Sequence, residues 1–305
     1  MNKLITIGVA IAILIIGCTK DDTTNETLNK DVYFVINPIT VVKPFTDKFN
    51  PIANEITNLS DEYLLRIRLL VYDEHGGLVE SKEEYLKNYT YNSSFQTNLE
   101  YGNYQALVIT DVVTKEKRNY NWILSGESSI YSTKITSLVN FGKQRILGIG
   151  RTSFAISNDT DRIIVDPQPA GALIYIAWNH IHGYKSIMKE LAIANNKASG
   201  CVTFDDKGYV ASAKGDVDQY SWKSSIIRPE EYNDYINYVS DYSFELPIND
   251  ITFRYEEYFK DDLNLKPTYG YGETVNLKAG NIYYIKFDLR NPDNNDRSEF
   301  KISEW

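Results

Sequence analysis

The sequence predicts an all-β protein built as two domains of one architecture, with few and short helices, and three observations predict it. Short runs alternate apolar and polar residues with a period of two. Gly, Asn, Asp and Pro punctuate these runs at close intervals. One segment recurs: "NLEYGNYQALVI" from Asn98 and "NLKAGNIYYIKF" from Asn276 share N-L-x-x-G-N ahead of a tyrosine and an alternating apolar strand. The glycine permits a tight turn, and the leucine and tyrosine can both face a core. One copy near the end of each half places the boundary at the polar "SNDTDR", Ser157 to Arg162.

The first element is an export signal. Lys3 opens a short basic region, and Leu4 to Gly17 form an apolar run of secretory length, short for a membrane span. Ile15-Ile16-Gly17-Cys18 resembles the lipobox of bacterial lipoproteins, in which cleavage precedes the cysteine. The expectation is a signal peptide over residues 1–17 and a lipid (diacylglycerol plus an acyl chain such as palmitate) on Cys18. One acyl chain anchors only marginally, whereas several together hold a protein on a membrane. Lys20, Asp21 and Asp22 resemble the Lys-plus-acidic signal that sends Bacteroidetes lipoproteins to the outer face of the outer membrane. A surface-exposed, lipid-anchored protein follows as the expectation, although an acidic spacer is the plainer reading of the two aspartates. Residues 18–30, rich in Asp, Thr and Asn, cannot repay their ordering entropy and read as a flexible tether.

The N-terminal sandwich is expected over 31–156 and the C-terminal one over 157–305. Val32 to Ile36 reads as the first strand, and Pro38, Pro44 and Pro51 make the next connection irregular. Tyr63, Leu65, Ile67, Leu69 and Val71 fall on one face of the following strand, with Arg66 and Arg68 on the other, and "DEHGGL" turns the chain. Further strands are expected at Tyr104 to Val112, Arg162 to Val165, Ala172 to Trp178, Val202 to Phe204, Tyr209 to Ala213, Ser243 to Pro247, Ile251 to Tyr255 and Ile282 to Leu289. "RPEEYNDYINYV" predicts one short helix, with Pro229 at its first position and Tyr232, Ile236 and Val239 at helical spacing. "YKSIMKELAIANN" fits either period.

Composition narrows the function classes. With 41 acidic against 32 basic residues and a formal charge of -9, the chain lacks the electrostatic footprint of a nucleic-acid binder. Beyond Cys18 the only cysteine is Cys201, in "SGCVTF", which reads as a small buried strand residue. His180 and His182 form an H-x-H pair on one strand face with no third ligand nearby, and His75 sits in a turn. Asp216, Asp218, Asp293, Asn295 and Asp296 gather oxygens that could hold a calcium ion, but without EF-hand spacing they read as solvated turns. No metal or other cofactor is expected. Nucleophile elbows, zinc-protease helices and phosphate-binding glycine loops are all missing from the sequence, so the expectation is a non-enzyme. A glycosidase carboxylate pair needs no local motif and stays as the minority reading.

Tyrosine is the residue class left over, with 24 in the chain. Tyr85, Tyr89 and Tyr91 form one cluster and Tyr232, Tyr235 and Tyr238 another, in stretches where not every ring can be in a core. They either pack over a sandwich rim or touch a partner. Tyr85, Tyr89, Tyr232 and Tyr235 are the candidate ligand-contacting aromatics.

With its lipobox, its "LLRIRLLVYDEHGGLV" strand and turn, and the L-x-x-G-x-Y of Leu99 to Tyr104, the chain resembles the fimbrillin-like lipoproteins of the Bacteroidetes over residues 31 to 290. The resemblance implies two tandem transthyretin-like β-sandwich domains and a non-catalytic role as a fimbrial subunit in assembly or adhesion. It implies other fimbrial subunits or surface proteins as partners, joined by strand addition. In polymerising members a protease cuts after a basic residue near the first strand. Here the earliest arginine is Arg66, inside a strand pattern, and the preceding loop offers only Lys43 and Lys48, which points to an anchor-like or accessory subunit. The alternative is a carbohydrate-binding lipoprotein of a nutrient-uptake system, with tyrosine and tryptophan as platforms for glycans.

Overall fold

The computed structural model of the chain describes residues 29–38, 59, 61–88, 93–138, 146–179, 186–194, 199–213, 220–221, 237–245, 248–259, 267–288 and 299–304. Among them every regular element is a strand. The first half supplies β1 (Asn29–Ile36), β2 (Tyr63–Asp73), β3 (Leu78–Leu86), β4 (Ser93–Glu100), β5 (Gly102–Thr114), β6 (Trp122–Ser125), β7 (Lys134–Ser137), β8 (Leu147–Ile156), β9 (Arg162–Val165) and β10 (Gln168–Pro169). The second supplies β11 (Ala172–Asn179), β12 (Ser186–Ala194), β13 (Ser199–Asp205), β14 (Gly208–Ala213), β15 (Tyr220–Ser221), β16 (Asn237–Glu245), β17 (Ile248–Phe259), β18 (Pro267–Leu277), β19 (Ile282–Asp288) and β20 (Glu299–Glu304). The ambiguous "YKSIMKELAIANN" therefore contains a strand, β12. Most of the predicted helix lies outside the described residues, but its last three positions, Asn237 to Val239, open β16 instead.

Strand pairing repeats along the chain. In the first half β1 lies between β4, antiparallel, and β9, parallel, while the second sheet runs β10-β8-β5-β2-β3. In the second half β11 lies between β16, antiparallel, and β19, parallel, while its companion sheet runs β15-β12-β17-β18. Seven strands thus correspond one to one: β1, β2, β3, β4, β5, β8 and β9 with β11, β12, β15, β16, β17, β18 and β19. The boundary expected at Ser157 to Arg162 would detach β9 from the sheet it completes beside β1, and β10 still pairs with β8. By pairing, the first set of strands ends at Pro169 and the second begins at Ala172.

Alternation explains the outer strands. Val32, Phe34 and Ile36 of β1 are buried with Asp31 and Tyr33 outside, and β4 alternates without a break, Ser93, Phe95, Thr97 and Leu99 inward. The central strand β2 departs from that rule. Leu65, Ile67, Leu69 and Val71 are fully buried as the sequence implies, but Arg66, Leu70 and Tyr72 on the opposite face are buried too. The polar face read from the sequence is covered by the long connection between β5 and β8. From it Asn119 accepts a 2.9 Å hydrogen bond from Arg66 Nη1, Glu127 pairs with Arg68 at 3.3 Å, and Thr133 shares a 2.8 Å bond with the Tyr72 hydroxyl. Arg66 is held by Asp111, its cross-strand partner, through bonds of 2.8 and 2.6 Å from Nε and Nη2. That bidentate pairing satisfies a charge which alone in this setting would cost several kcal/mol.

The same connection carries β6 and β7, and β7 pairs antiparallel with β13 from the second half, Ile135 facing Val202. The result is a four-stranded sheet, β14-β13-β7-β6, built from both halves. Trp122, Ile135, Val202 and Phe204 from this sheet join Phe34, Leu65 and Val108 in one continuous apolar core.

Leu99 and Leu277, the repeated leucines, are both buried. They do not occupy equivalent positions, because Leu99 closes β4 before β5 whereas Leu277 closes β18 before β19, and β18 corresponds to β8. What the repeat shares is a crossing from one sheet to its companion, tied down by a tyrosine. The Tyr104 hydroxyl donates to Glu100 O at 3.0 Å, and the Tyr283 hydroxyl donates to Asn276 O and accepts from Lys278 N, each at 3.0 Å. Gly280 uses the left-handed backbone (φ +81°) that its turn requires, whereas Gly102 does not.

Candidate functional site

Of the candidate aromatics, Tyr85 lies among the described residues, and Tyr89, Tyr232 and Tyr235 lie outside them, as do Cys18, Lys20, Asp21 and Asp22. His180, His182, Asp216, Asp218, Asp293, Asn295 and Asp296 are also outside. His75 is exposed in the β2–β3 turn beside Glu74 at 3.6 Å, and Cys201 is a buried free thiol on β13. Among the described residues no group of three or more His, Cys, Asp or Glu side chains is arranged to hold a metal ion.

Tyr85 is already engaged. Its hydroxyl donates to Glu83 Oε2 at 2.5 Å, and Lys117 Nζ stands 4.5 Å from its ring centre. Burial raises the Tyr85 pKa first, and the bond to Glu83 adds to that. Burial opposes the Glu83 carboxylate, yet the Tyr85 hydroxyl and the Arg68 and Arg66 guanidinium groups outweigh it and hold its pKa below the ordinary value.

A tyrosine pair, Tyr63 with Tyr120, shapes a cleft that no sequence pattern marks. Beyond Thr114, β5 ends in a tight turn in which Lys117 N donates to Thr114 O at 2.8 Å and Thr114 N to Arg118 O at 3.0 Å. Lys117 adopts a left-handed φ of 61°, uncommon for a side chain of its size. A bond from Lys115 N to Glu62 O, 2.8 Å, ties this turn to the start of β2. The chain then returns, so that Tyr120 meets Tyr63 with ring centres 4.6 Å apart and planes tilted by 48°. Asp61, Glu62, Tyr63, Thr114, Lys115, Glu116 and Tyr120 line a cleft of about 450 Å³. The Tyr63 hydroxyl is pushed up to about 12, first by its hydrogen bond with Tyr120, then by burial and by the Tyr120 and Glu62 charges. From sequence Tyr63 falls on the same face of β2 as Leu65, Ile67, Leu69 and Val71. Its place as the first residue of the strand, next to the polar Asp61-Glu62, was the signal that it sits at the rim.

No protein-family model and no curated protein matches the sequence. Solved structures do match in fold. One is a candidate adhesin from Bacteroides thetaiotaomicron, 12% identical, covering 89% of this chain and 95% of its own, with a TM-score of 0.57. Another is a fimbrial assembly protein from Parabacteroides distasonis, 12% identical, covering 91% and 99%, with a TM-score of 0.51. A third, from Bacteroides thetaiotaomicron, is described as a candidate polysaccharide-binding protein, 11% identical, covering 84% and 91%, with a TM-score of 0.50. The chain therefore shares the all-β fold of Bacteroides and Parabacteroides adhesin and fimbrial-assembly structures, in agreement with the fimbrillin-like resemblance of its sequence.

Proposed function

We propose that the chain is a non-catalytic cell-surface lipoprotein acting as an anchor-like or accessory subunit in fimbrial assembly or adhesion. The observation that carries this reading is the fold likeness to a fimbrial assembly protein over nearly the whole of both chains. It is supported by the lipobox-like Gly17-Cys18 and acidic Asp21-Asp22 a short way ahead of β1, which would hold the first sandwich at the outer membrane. In the same reading residues 29–169 and 172–304 form two sandwich units of one topology, bridged by β7 and β13. Partners join along sheet edges, where backbone pairing supplies the affinity and single side-chain changes weaken it little.

Glycan binding is the second reading, favoured by the fold neighbour described as polysaccharide-binding. A pull-down from surface extracts beside a glycan-array screen separates the two. The fimbrial reading expects capture of a fimbrial protein, and saturable sugar binding with no protein partner would overturn it. Cys18→Ser tests the anchor: the protein is expected to lose membrane attachment, and unchanged attachment would end the lipoprotein reading.

A further inference from the structure

Strand addition uses sheet edges and leaves sheet faces free. On the three-stranded sheet β4-β1-β9, Val32, Phe34 and Ile36 turn inward, so Asp31, Tyr33 and Val35 turn outward. Tyr33 is 48% exposed and Ile164 of β9 51%, and the register sets Val35 beside Ile164, so three apolar side chains adjoin on neighbouring strands. Single exposed apolar residues need no explanation, whereas adjoining ones mark contact surfaces. The same register flanks Tyr33 with Gln96 of β4 on one side and Arg162 of β9 on the other. Both are exposed, and neither side chain makes a hydrogen bond or ion pair with any described residue. The Tyr33 hydroxyl is equally unengaged among the described residues, unlike those of the exposed Tyr101 and Tyr131, which bond to Asn158 and Asp206. In the next row Asp31 and Asn98 satisfy each other at 2.7 Å. Because β1 is paired on both sides, an incoming strand finds no free backbone here. A sugar fits better: the C–H face of a pyranose packs on an aromatic ring, and planar amide and guanidinium groups each meet two neighbouring hydroxyls. Gln96 and Arg162 start about 10 Å apart, two strand spacings, and a hydrogen bond of about 2.8 Å from each leaves room for one sugar ring between them. Lys30 and Arg162 are balanced by Asp31 and Asp161, so no surplus positive charge favours an acidic sugar. We propose that this face binds a neutral glycan lying along β1, one ring on Tyr33 between Gln96 and Arg162 and the next over Val35 and Ile164.

This site rests on the second reading, glycan binding, and gives it a location. The test applies the full-length chain to an array of neutral and acidic oligosaccharides, beside four variants, Tyr33→Ala, Gln96→Ala, Arg162→Met and Tyr85→Ala, each shown to be folded by a thermal melt. Saturable binding of a neutral oligosaccharide is expected. Tyr33→Ala should weaken it at least about tenfold, since the stacking surface is lost. Gln96→Ala and Arg162→Met each remove hydrogen bonds from the flanks and should weaken it about twofold to tenfold. Tyr85→Ala, on β3 of the other sheet, should leave it unchanged. Unaltered binding by Tyr33→Ala and Gln96→Ala, or a loss confined to Tyr85→Ala, would overturn this site while leaving glycan binding in place. Binding confined to acidic oligosaccharides would also overturn it. No saturable binding of any oligosaccharide would end the glycan reading and this site together.

Discussion

In the first half of the molecule β1 is flanked by β4 and β9, and in the second half β11 is flanked by β16 and β19 in the same directions. The additions to this shared plan sit at different places. The first half inserts β6 and β7 between β5 and β8, whereas the second inserts β13 and β14 between β12 and β15. Because the insertions pair with each other, a decoration specific to each half becomes the joint between them. The connection that carries β6 and β7 also covers the second face of β2, through Asn119, Glu127 and Thr133, so that β2 is buried on both sides. Two halves of like topology are thereby joined through one shared sheet.

The largest effect is expected from removing a residue of the second half that completes the core of the first. Phe204 is 5% exposed and belongs to the same apolar cluster as Trp122, 1% exposed, from the other insertion. Phe204→Ala should cost about 3–5 kcal/mol, and Trp122→Ala a similar amount. Chemical denaturation checks the sharing. One transition displaced as a whole by Phe204→Ala is expected, and the double variant should be non-additive. A variant that melts the second half alone would show the halves to be independent.

Gly150 tests the end of the first half. A side chain there would lie 2.9 Å from Val165 Cγ1 and 3.0 Å from Pro167 N, so the chain after β9 passes directly over β8. Gly150→Ala should destabilise by about 1–3 kcal/mol through overpacking. A neutral effect in thermal melting would mean that the β9–β10 passage is loosely attached, and the boundary would move back toward Ser157.

Much of this arrangement was legible in sequence, and the misses share one cause. Period-two alternation locates β1, β2, β5, β9, β11, β13, β14, β17 and β19, where apolar residues recur on one face. It said nothing of β3, "LVESKEEYL", whose charged residues mark an edge, nor of β8, whose buried end is "LGIG" with two glycines where side chains would betray a strand. The same alternation puts Arg66 and Arg68 on the face of β2 opposite Leu65, Ile67, Leu69 and Val71, and does not show that this face is covered. Nothing local announces that a segment some fifty residues away will supply Asp111 and Asn119 to satisfy Arg66. The repeated leucines misled for a related reason, since a sheet-to-sheet crossing needs the same Leu-Gly-Tyr chemistry wherever in the topology it occurs. In the candidate site, Tyr85 stood out by clustering, whereas Tyr63 and Tyr120 are brought together only by the turn between β5 and β6.

A smaller effect sharpens the joint itself. Arg151 of β8 is held by Gln105 Oε1 at 2.5 and 3.2 Å and donates to Gly208 O at 2.9 Å and to Asp205 O, clamping the β13–β14 turn onto the first half. Arg151→Met keeps the stem and loses the donors. It should cost about 1–2 kcal/mol and raise protease cleavage at Asp205 to Gly208, because these bonds are charge-assisted but only partly buried. Unchanged cleavage would show that backbone pairing of β7 with β13 suffices without the clamp.

The smallest change in stability should carry the clearest change in association. Along the open side of the first sandwich, β3 and β4 are edge strands of different sheets, and β3 side chains close the seam between them. Lys82 Nζ donates to Gln96 O, Thr97 Oγ1 donates to Glu80 Oε2 at 2.9 Å, and Ser93 Oγ donates to Glu84 Oε2. A lysine on an edge is a common guard against unwanted strand pairing, and here it also occupies a backbone acceptor that an incoming strand would need. The second half offers β14, "GYVASA", an edge with no charged residue and with Val210 half exposed. If strand addition is used, the comparison assigns it to the unguarded edge. Lys82→Ala should alter stability by no more than about 0.5 kcal/mol, as for other surface contacts. It should nevertheless increase self-association in analytical ultracentrifugation by freeing Gln96 O. Val210→Lys should leave the fold intact and reduce capture of a strand-donating partner. A Lys82→Ala protein that stays monomeric, together with a Val210→Lys protein that still captures its partner, would show that the two edges do not differ in the way their sequences imply.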